Sequence, residues 1–174
     1  MQEPTQLKVS PEDAALIEAV VYHEAGGEGT EGRNAVRAVI YNRLASPDFP
    51  NTVPGVLNQR NAFESVSRWG EGSAGGLLAN TPPKVVEASL VEHGRFLKDA
   101  TDPTGGAVYF QSTDPAAWEA TGGTPYNQGH QPQTVIGNHA FYNHYEGRRA
   151  TVVPYRVSLG GDRKSTRLNS SHYR

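Results

Sequence analysis

Apolar residues recur at helical spacing in residues 11–25, "PEDAALIEAVVYHEA", and this pattern predicts the first α-helix. One face of that helix carries Leu16, Ile17, Val20 and Val21. Ser10 can accept a hydrogen bond from the first turn and Pro11 suits the first helical position, so we expect the helix to begin here. The glycines at positions 26 and 27 predict its end.

Two further stretches have the same periodicity. A second helix is predicted from Thr30 through "EGRNAVRAVIYNRLA", and Ser46 and Pro47 should end it. Its buried face would carry Val36, Val39, Ile40 and Leu44. A third helix is predicted after Pro82, and "DPTGG" should end it; its apolar face would carry Val86, Leu90, His93 and Leu97. The first two helices are joined by a short loop, so we expect them to pack together.

The rest of the chain has weaker patterns. Residues 46–83 are rich in Pro, Gly, Asn and Ser, which favours a surface excursion or the rim of a groove. The segments "GAVYFQS" and "VIGNHAFYNHY" are typical of short β-strands. The pattern as a whole predicts an α+β domain that is mainly helical with a small β portion.

Composition limits the protein to one soluble globular domain. Hydrophobic residues make up 36% and charged residues 20% of the 174 residues. No apolar run approaches the ~18 residues of a membrane span, and no signal peptide is visible at the start. We expect an N-terminal extension over residues 1–10, one folded domain over 11–150 and a C-terminal extension over 151–161. The absence of cysteine excludes disulfides and thiolate chemistry.

Residues 162–174, "DRKSTRLNSSHYR", differ in character from the rest and resemble the translated read-through of a common sequencing adapter. We interpret them as an artefact. The whole chain has 16 basic and 18 acidic residues; without the four basic residues and one acidic residue of this tail, 12 and 17 remain, a net charge of −5. An acidic domain is a poor nucleic-acid binder, because phosphate neutralisation supplies most of that affinity.

The stretch "YHEAGGEGTEGR" holds three carboxylates whose surroundings differ. Glu24 follows Val20 and Val21 by four and three residues, so it falls on the apolar face of the first helix, at its last turn. Partial burial and the negative end of the helix dipole both raise the pKa of such a group, as a general acid requires. Glu31 would lie in the first turn of the second helix and compensate its dipole, whereas the role of Glu28, catalytic or structural, is left open.

Phosphate and metal sites are disfavoured by the same residues. The glycine-rich turn has no lysine and carries acidic groups that would repel an anion. The "HEAGG" run lacks the second histidine, four residues after the first, of a zinc-peptidase helix. His23, His139 and His144 could surround a metal, but their spacing favours structural or exposed roles. We therefore expect neither a metal nor a cofactor.

Several motifs in order resemble those of the SleB-type cell wall hydrolases, the spore cortex-lytic enzyme family. The matching segments are Glu24 to Glu28, Glu31 with Gly32, Ala35 to Arg43, Phe49 to Val56 and Phe63. Further on, "DPTGGAVYF", Trp118 and "IGNHAFY" resemble the second half of the family. The resemblance covers roughly residues 11 to 145. Glycine replaces the arginine usual in the first block, which affects substrate subtype more than reaction class.

The resemblance implies a lysozyme-like domain that cleaves peptidoglycan glycan strands between N-acetylmuramic acid and N-acetylglucosamine, with Glu24 as the catalytic acid. A lytic transglycosylase would use the sugar's own 6-hydroxyl, whereas a hydrolase would need a base, for which Glu28, Glu64 and Asp114 are candidates. The predicted substrate-binding residues are Glu28, Phe63, Tyr109, Phe110, Trp118 and His139. Tyr142 is a further aromatic candidate.

The predicted partner is the glycan strand, met outside the cytoplasmic membrane in the periplasm, in the cell wall or in association with a phage. We expect no nucleic acid, no membrane insertion and a monomer. Two alternatives stay open: a non-catalytic wall-binding or virion structural module with the same fold, and a metal-dependent amidase.

Overall fold

The computed structural model describes residues 3–60, 62–99, 101–114, 116 and 131–160. Its helices are α1 Pro11–Ala25, α2 Gly29–Ala45, α3 Val53–Leu57, α4 Glu64–Trp69, α5 Ala74–Ala79 and α6 Pro83–Asp99. Its strands are β1 Thr5–Val9, β2 Tyr109–Ser112, β3 Thr134–Ile136, β4 His139–Tyr142, β5 His144–Tyr145, β6 Arg148–Arg149 and β7 Tyr155–Leu159. The prediction of a mainly helical α+β domain is confirmed.

Helix α1 begins and ends where its sequence predicts. The Ser10 hydroxyl accepts a hydrogen bond of 3.1 Å from the amide of Asp13, and Pro11 is the first helical residue. The Gly26 amide donates to the Tyr22 carbonyl at 2.8 Å and closes the last turn. The apolar face of α1 packs on α2, α5 and α6, so the last turn of α1 is held by the core.

Helix α2 is largely enclosed by the rest of the domain. It begins at Gly29, one residue before the predicted start, and its residues 35–45 are all buried. Arg37, Asn42 and Arg43 are among them, so their polar groups need partners inside the protein. Asn42 donates to the Asp102 carboxylate and to the Ala107 carbonyl, both at 2.9 Å.

A buried chain of charged and polar side chains joins α1, α2 and α6. The Arg37 guanidinium donates to both oxygens of Glu18, with Nη2–Oε1 at 2.5 Å and Nε–Oε2 at 3.0 Å. Glu18 also faces His93 Nδ1 at 3.1 Å, and His93 Nε2 is hydrogen-bonded to the Tyr41 hydroxyl at 2.8 Å. All four residues are buried, so their polar groups face one another instead of water.

The chain of charges continues to the end of α1. Arg37 Nη1 contacts Glu92 Oε1 at 2.7 Å, and Arg33 Nε donates to the same oxygen at 2.7 Å. Arg33 Nη1 then donates to the Gly26 carbonyl at 3.0 Å. Because Gly26 ends α1, this contact ties the C-terminal turn of α1 to α2 and α6.

Residues 46–83 depart from the sequence expectation. They form the three short helices α3, α4 and α5, and their apolar side chains enter the core instead of lining a surface excursion. The buried ones include Val53, Val56, Leu57, Val66 and Leu77. Thr52 and Ser73 cap α3 and α5 through their hydroxyls. Helices of five or six residues cover less than two turns, so they show no complete hydrophobic period.

The central sheet is antiparallel, with strand order β2-β4-β3. Strands β3 and β4 form a hairpin whose turn contains Gly137 at φ +58°. The segment expected as one strand, "VIGNHAFYNHY", is therefore divided into β3, β4 and β5. Strand β2 forms within the predicted segment "GAVYFQS".

Strands β1 and β7 pair in parallel, with Thr5 opposite Tyr155 and Val9 opposite Leu159. They come from the two segments that we expected to be extensions outside the domain. Leu7, Val9, Tyr155 and Val157 are buried and join the main hydrophobic core. Among residues 3–60, 62–99, 101–114, 116 and 131–160, no helix is both long and apolar enough to cross a membrane.

Candidate active site

The carboxylate of Glu24 lies between the end of α1 and the start of α4. Its Oε2 accepts a hydrogen bond from the Ser65 amide at 2.8 Å. The residue is half-buried, as expected from its place one turn after the buried Val20 and Val21. Helix α1 therefore supplies the carboxylate and α4 fixes its position.

This hydrogen bond also completes the N-terminus of α4. Phe63 precedes that helix and has no side-chain oxygen, so it cannot accept from the free amides of the first turn. Glu24, 41 residues earlier in the chain, accepts from Ser65 in its place. The contact holds the carboxylate in one orientation.

The surroundings of Glu24 favour its protonated form. Burial raises the pKa of the Glu24 carboxyl, the contacts with Ser65 lower it, and the nearby carboxylate of Glu64 raises it again. The net direction is upward from the ordinary value of 4.5. A carboxyl of this kind can hold a proton closer to neutral pH and donate it to a substrate.

Glu28 binds the turn between β3 and β4. Its Oε1 accepts from the Asn138 amide at 2.8 Å and its Oε2 accepts from Asn138 Nδ2 at 3.0 Å. A Cβ atom on Gly137 would lie 2.6 Å from Oε1, and one on Gly32 would lie 2.5 Å from the Cβ of Glu28. The side chain thus occupies a slot bounded by two glycines, and this geometry supports a structural role.

His139 and Phe110 lie beside Glu28 on one face of the central sheet. His139 Nδ1 is 3.6 Å from Glu28 Oε1, and the ring centroids of His139 and Phe110 are 5.1 Å apart. Burial lowers the pKa of His139 although the Glu28 carboxylate opposes this shift, so the ring is neutral near pH 7. Phe110 in turn lies 6.3 Å from Phe63, the residue before α4.

These contacts join most of the predicted residues into one region. Glu24 contacts the start of α4, and Phe63 is the residue before that helix. From Phe63, side-chain contacts lead in turn to Phe110, His139 and Glu28. Phe63 is only 2% exposed and lies 5.7 Å from the Arg43 guanidinium, so its ring has almost no surface for a sugar.

Tyr109 lies apart from this region. It is the neighbour of Phe110 on β2, and successive side chains of a strand point to opposite faces. Burial raises the pKa of Tyr109, and the Arg43 cation opposes the shift. Tyr142 pairs with Tyr109 across the sheet and is buried. Trp118 and the loop around it lie outside the described residues.

The other carboxylates that we considered are engaged elsewhere. Glu64 is exposed and pairs with Arg68 at 3.0 Å. Asp114 is exposed and accepts from the Ala116 amide at 3.0 Å. Glu31 lies in the first turn of α2, as expected. Within the described part of the chain, no group of three or more His, Asp or Glu residues is arranged to hold a metal ion.

Ser65 and Asn138 were not predicted from the sequence, although they hold the two central glutamates. Both donate a backbone amide, which every residue except proline has, so the residue type gives no signal for that contact. Asn138 also donates its side-chain Nδ2, but its partner Glu28 is 110 residues away in the chain. The Glu64 carboxylate in the first turn of α4 was the one local indication that a helix starts there.

Comparison with known proteins places the chain near one group of enzymes. A family model described as Cell Wall Hydrolase matches residues 27–142, a segment that begins three residues after Glu24. The spore cortex-lytic enzyme of Halalkalibacterium halodurans is 36% identical over 135 residues, covering 77% of this chain and 36% of that protein. The Bacillus subtilis spore cortex-lytic enzyme is 33% identical over 132 residues, covering 76% and 38%. The chain thus spans little more than a third of these relatives.

Two solved structures have a similar fold. The catalytic domain of the Bacillus cereus SleB protein has a TM-score of 0.57 and 30% identity, with 77% of this chain and 91% of that chain covered. The catalytic domain of the germination-specific lytic transglycosylase SleB from Bacillus anthracis has a TM-score of 0.52 and 31% identity, with 76% and 94% covered.

Proposed function

This chain belongs to the cell wall hydrolase family, and from that premise we propose that it cleaves peptidoglycan glycan strands between N-acetylmuramic acid and N-acetylglucosamine. The observation that carries the proposal is Glu24, a half-buried carboxyl with a raised pKa held by the Ser65 amide. The names of the relatives, spore cortex-lytic enzyme and lytic transglycosylase, support the substrate and the reaction class.

In the proposed reaction Glu24 acts first as a general acid. Its carboxyl proton passes to the bridging glycosidic oxygen while the bond from that oxygen to the muramic C1 breaks. Positive charge develops on C1 and the ring oxygen, and the ionised Glu24 carboxylate stabilises it. The departing N-acetylglucosamine residue keeps the proton as a free hydroxyl.

For the second step we propose attack by the muramic 6-hydroxyl. Its oxygen bonds to C1, its proton returns to Glu24, and a 1,6-anhydro sugar forms with the acid regenerated. The positions of the candidate bases favour this route over water attack. Glu28 is held by Asn138, Glu64 pairs with Arg68 in solvent, and Asp114 binds Ala116.

The proposed substrate also determines the compartment in which the protein would act. Its substrate lies outside the cytoplasmic membrane, so the enzyme must meet peptidoglycan there. Glu28 would have a structural role, because both of its oxygens hold the hairpin that carries His139. His139, as a neutral ring next to Phe110, would line the groove and donate a hydrogen bond to the sugar.

Incubation of purified peptidoglycan with wild type and with Glu24→Gln, followed by mass spectrometry of the released muropeptides, tests the proposal. The amide cannot donate a proton of comparable acidity, so release should fall by about 10²-fold or more, the usual contribution of a general acid. Glu87→Gln is the matched control, because it makes the same change in an exposed carboxylate of α6. It should retain most of the activity.

Each outcome separates the candidate functions. Anhydro-muropeptides from wild type support the transglycosylase route, whereas reducing ends indicate water attack. Equal release by wild type and Glu24→Gln would remove Glu24 from the chemistry. Peptidoglycan binding by both without any release would instead favour the non-catalytic wall-binding module.

A further inference from the structure

Trp69, the last residue of α4, is 50% exposed although tryptophan is a large apolar residue. Its ring centroid lies 5.9 Å from that of His23 at an interplanar angle of 36°. The guanidinium of Arg68 is 5.7 Å from the ring centroid and is itself open to solvent. Half of the residue surface is therefore available to a ligand.

Two independent contacts place this indole next to Glu24. The first runs through α4: the Ser65 amide holds the Glu24 carboxylate at the start of the helix, and Trp69 follows Ser65 by four residues, about 6 Å further along the axis. The second runs through α1, because His23, which contacts the Trp69 ring, is the residue before Glu24. The exposed ring is thus linked to the candidate acid through both helices that hold it.

Hydrogen bonds hold the residues that support the Trp69 ring. Thr81 donates its hydroxyl proton to the Leu77 carbonyl at 2.7 Å, so its oxygen is left to accept from His23 Nε2 at 3.1 Å. This contact fixes the orientation of the His23 ring. Asn80 Nδ2 lies 3.5 Å from the Trp69 carbonyl and helps to fix the end of α4. A ring held in place before the ligand arrives loses little entropy on binding.

We propose that Trp69, supported by His23, is a stacking platform for a pyranose ring of the glycan strand, in a subsite adjacent to Glu24. This inference rests on the proposed function. A pyranose presents an apolar face of C–H groups with hydroxyls at its edge, and an indole offers a flat electron-rich face to it. A glycan strand longer than the scissile disaccharide would reach this ring while Glu24 protonates the bond.

The chain has two tryptophans, Trp69 and Trp118, so the part of the emission change that Trp69→Phe abolishes is the part that reports on Trp69. Glu24→Gln is added so that the ligand is not consumed during the titration. Peptide-free glycan strands, prepared from peptidoglycan with an amidase, are the probe. We expect a saturable change in intensity and a blue shift of the Trp69 emission as a sugar displaces water from the ring.

Kinetics with whole peptidoglycan supply the second measurement. Trp69→Ala should raise KM about tenfold, equivalent to about 1.4 kcal/mol, with a smaller change in kcat. Trp69→Tyr should restore most of the affinity because it keeps an aromatic face. Val91→Ala is the control for loss of exposed apolar surface, since Val91 is 54% exposed on α6, and it should leave KM unchanged.

The outcomes separate this inference from the proposed function. If wild type releases muropeptides but Trp69→Ala keeps its KM, the platform is refuted and the glycosidase proposal stands. The same holds if the strands bind, as measured by calorimetry, without changing the Trp69 emission. If wild type neither binds nor cleaves peptidoglycan, the proposed function fails and the platform fails with it.

Discussion

Replacing Glu18 by glutamine tests the buried charge network directly, because the change keeps the size of the side chain and removes its charge. Glu18 accepts from Arg37 at 2.5 and 3.0 Å and faces His93 Nδ1 at 3.1 Å. Burial opposes its ionisation, but His93 and Arg37 together hold the pKa of Glu18 below its ordinary value. The network therefore depends on a charge that the variant lacks.

Loss of one partner from a buried ion pair costs about 3–5 kcal/mol, because the other charge is left without compensation. Arg37 keeps two further contacts, Glu92 Oε1 and Asn34 Oδ1, each at 2.7 Å. We therefore expect the free energy of unfolding of Glu18→Gln to fall by about 3 kcal/mol, the lower end of that range. Such a loss is a large part of the ~5–15 kcal/mol that stabilises a typical domain.

Urea unfolding at neutral pH, followed by far-UV circular dichroism, measures this loss. Glu64→Gln is the matched control, because it removes the same charge from an exposed pair. The side chains of Glu64 and Arg68 are 60% and 61% exposed. The control should lose less than about 1 kcal/mol. If the two variants differ by less than about 1 kcal/mol at equal urea dependence, the buried network does not stabilise the fold as we argue.

Three further predictions concern single contacts. Ser65→Pro removes the amide donor in a helical turn that tolerates proline, so the pKa of Glu24 should rise. Activity needs the protonated acid. It should therefore persist to higher pH in a pH–rate profile. Gly137→Ala places a Cβ 2.6 Å from Glu28 Oε1 at φ +58° and should cost more than about 2 kcal/mol in urea unfolding. Hydrogen bonds from Arg33 and Arg37 lower the pKa of Glu92 from 4.5 to about 2. The free energy of unfolding that the ionised carboxylate contributes above pH 4.5 should therefore be lost as the pH falls towards 2. Glu92→Gln should flatten that decline.

Each of these predictions has a control in the same chain. Ser65→Ala keeps the amide, so an equal shift of its pH profile would exclude the amide as the cause. Gly147→Ala has a positive φ of +78° and no neighbouring atom within 4 Å, so it isolates backbone strain of about 1–2 kcal/mol from the clash. Glu87→Gln changes an exposed residue of α6 and should keep the steep acid decline of wild type. An equally flat decline in Glu87→Gln would exclude a specific effect of Glu92.

Sequence patterns were sufficient for the long helices. Helices α1, α2 and α6 each span at least four turns, so their apolar faces repeat enough to be recognised, and α1 also has a capping serine and a starting proline. The short helices and the pairing of β1 with β7 gave no comparable signal. Those features depend on contacts between distant parts of the chain, which local periodicity does not encode.

The candidate site likewise has features that local sequence predicts and features that depend on distant residues. Helical phase was sufficient to predict that Glu24 lies on the apolar side of α1, because that depends on residues three and four positions away. Its hydrogen-bond partner Ser65 is 41 residues distant, and the partner of Glu28, Asn138, is 110 residues distant. Trp69 had no such signal, because a single aromatic residue in a glycine-rich stretch belongs to no hydrophobic repeat.

The slot around Glu28 restricts how this part of the protein can evolve. Gly32 lies against the base of the glutamate side chain and Gly137 against its tip, so neither can gain a side chain while the glutamate stays in place. Loss of the glutamate alone would leave the hairpin amide of Asn138 without its acceptor. The three positions are therefore mutually dependent, and among relatives they should be inherited together or replaced in concert, although Gly137 lies more than 100 residues from the other two.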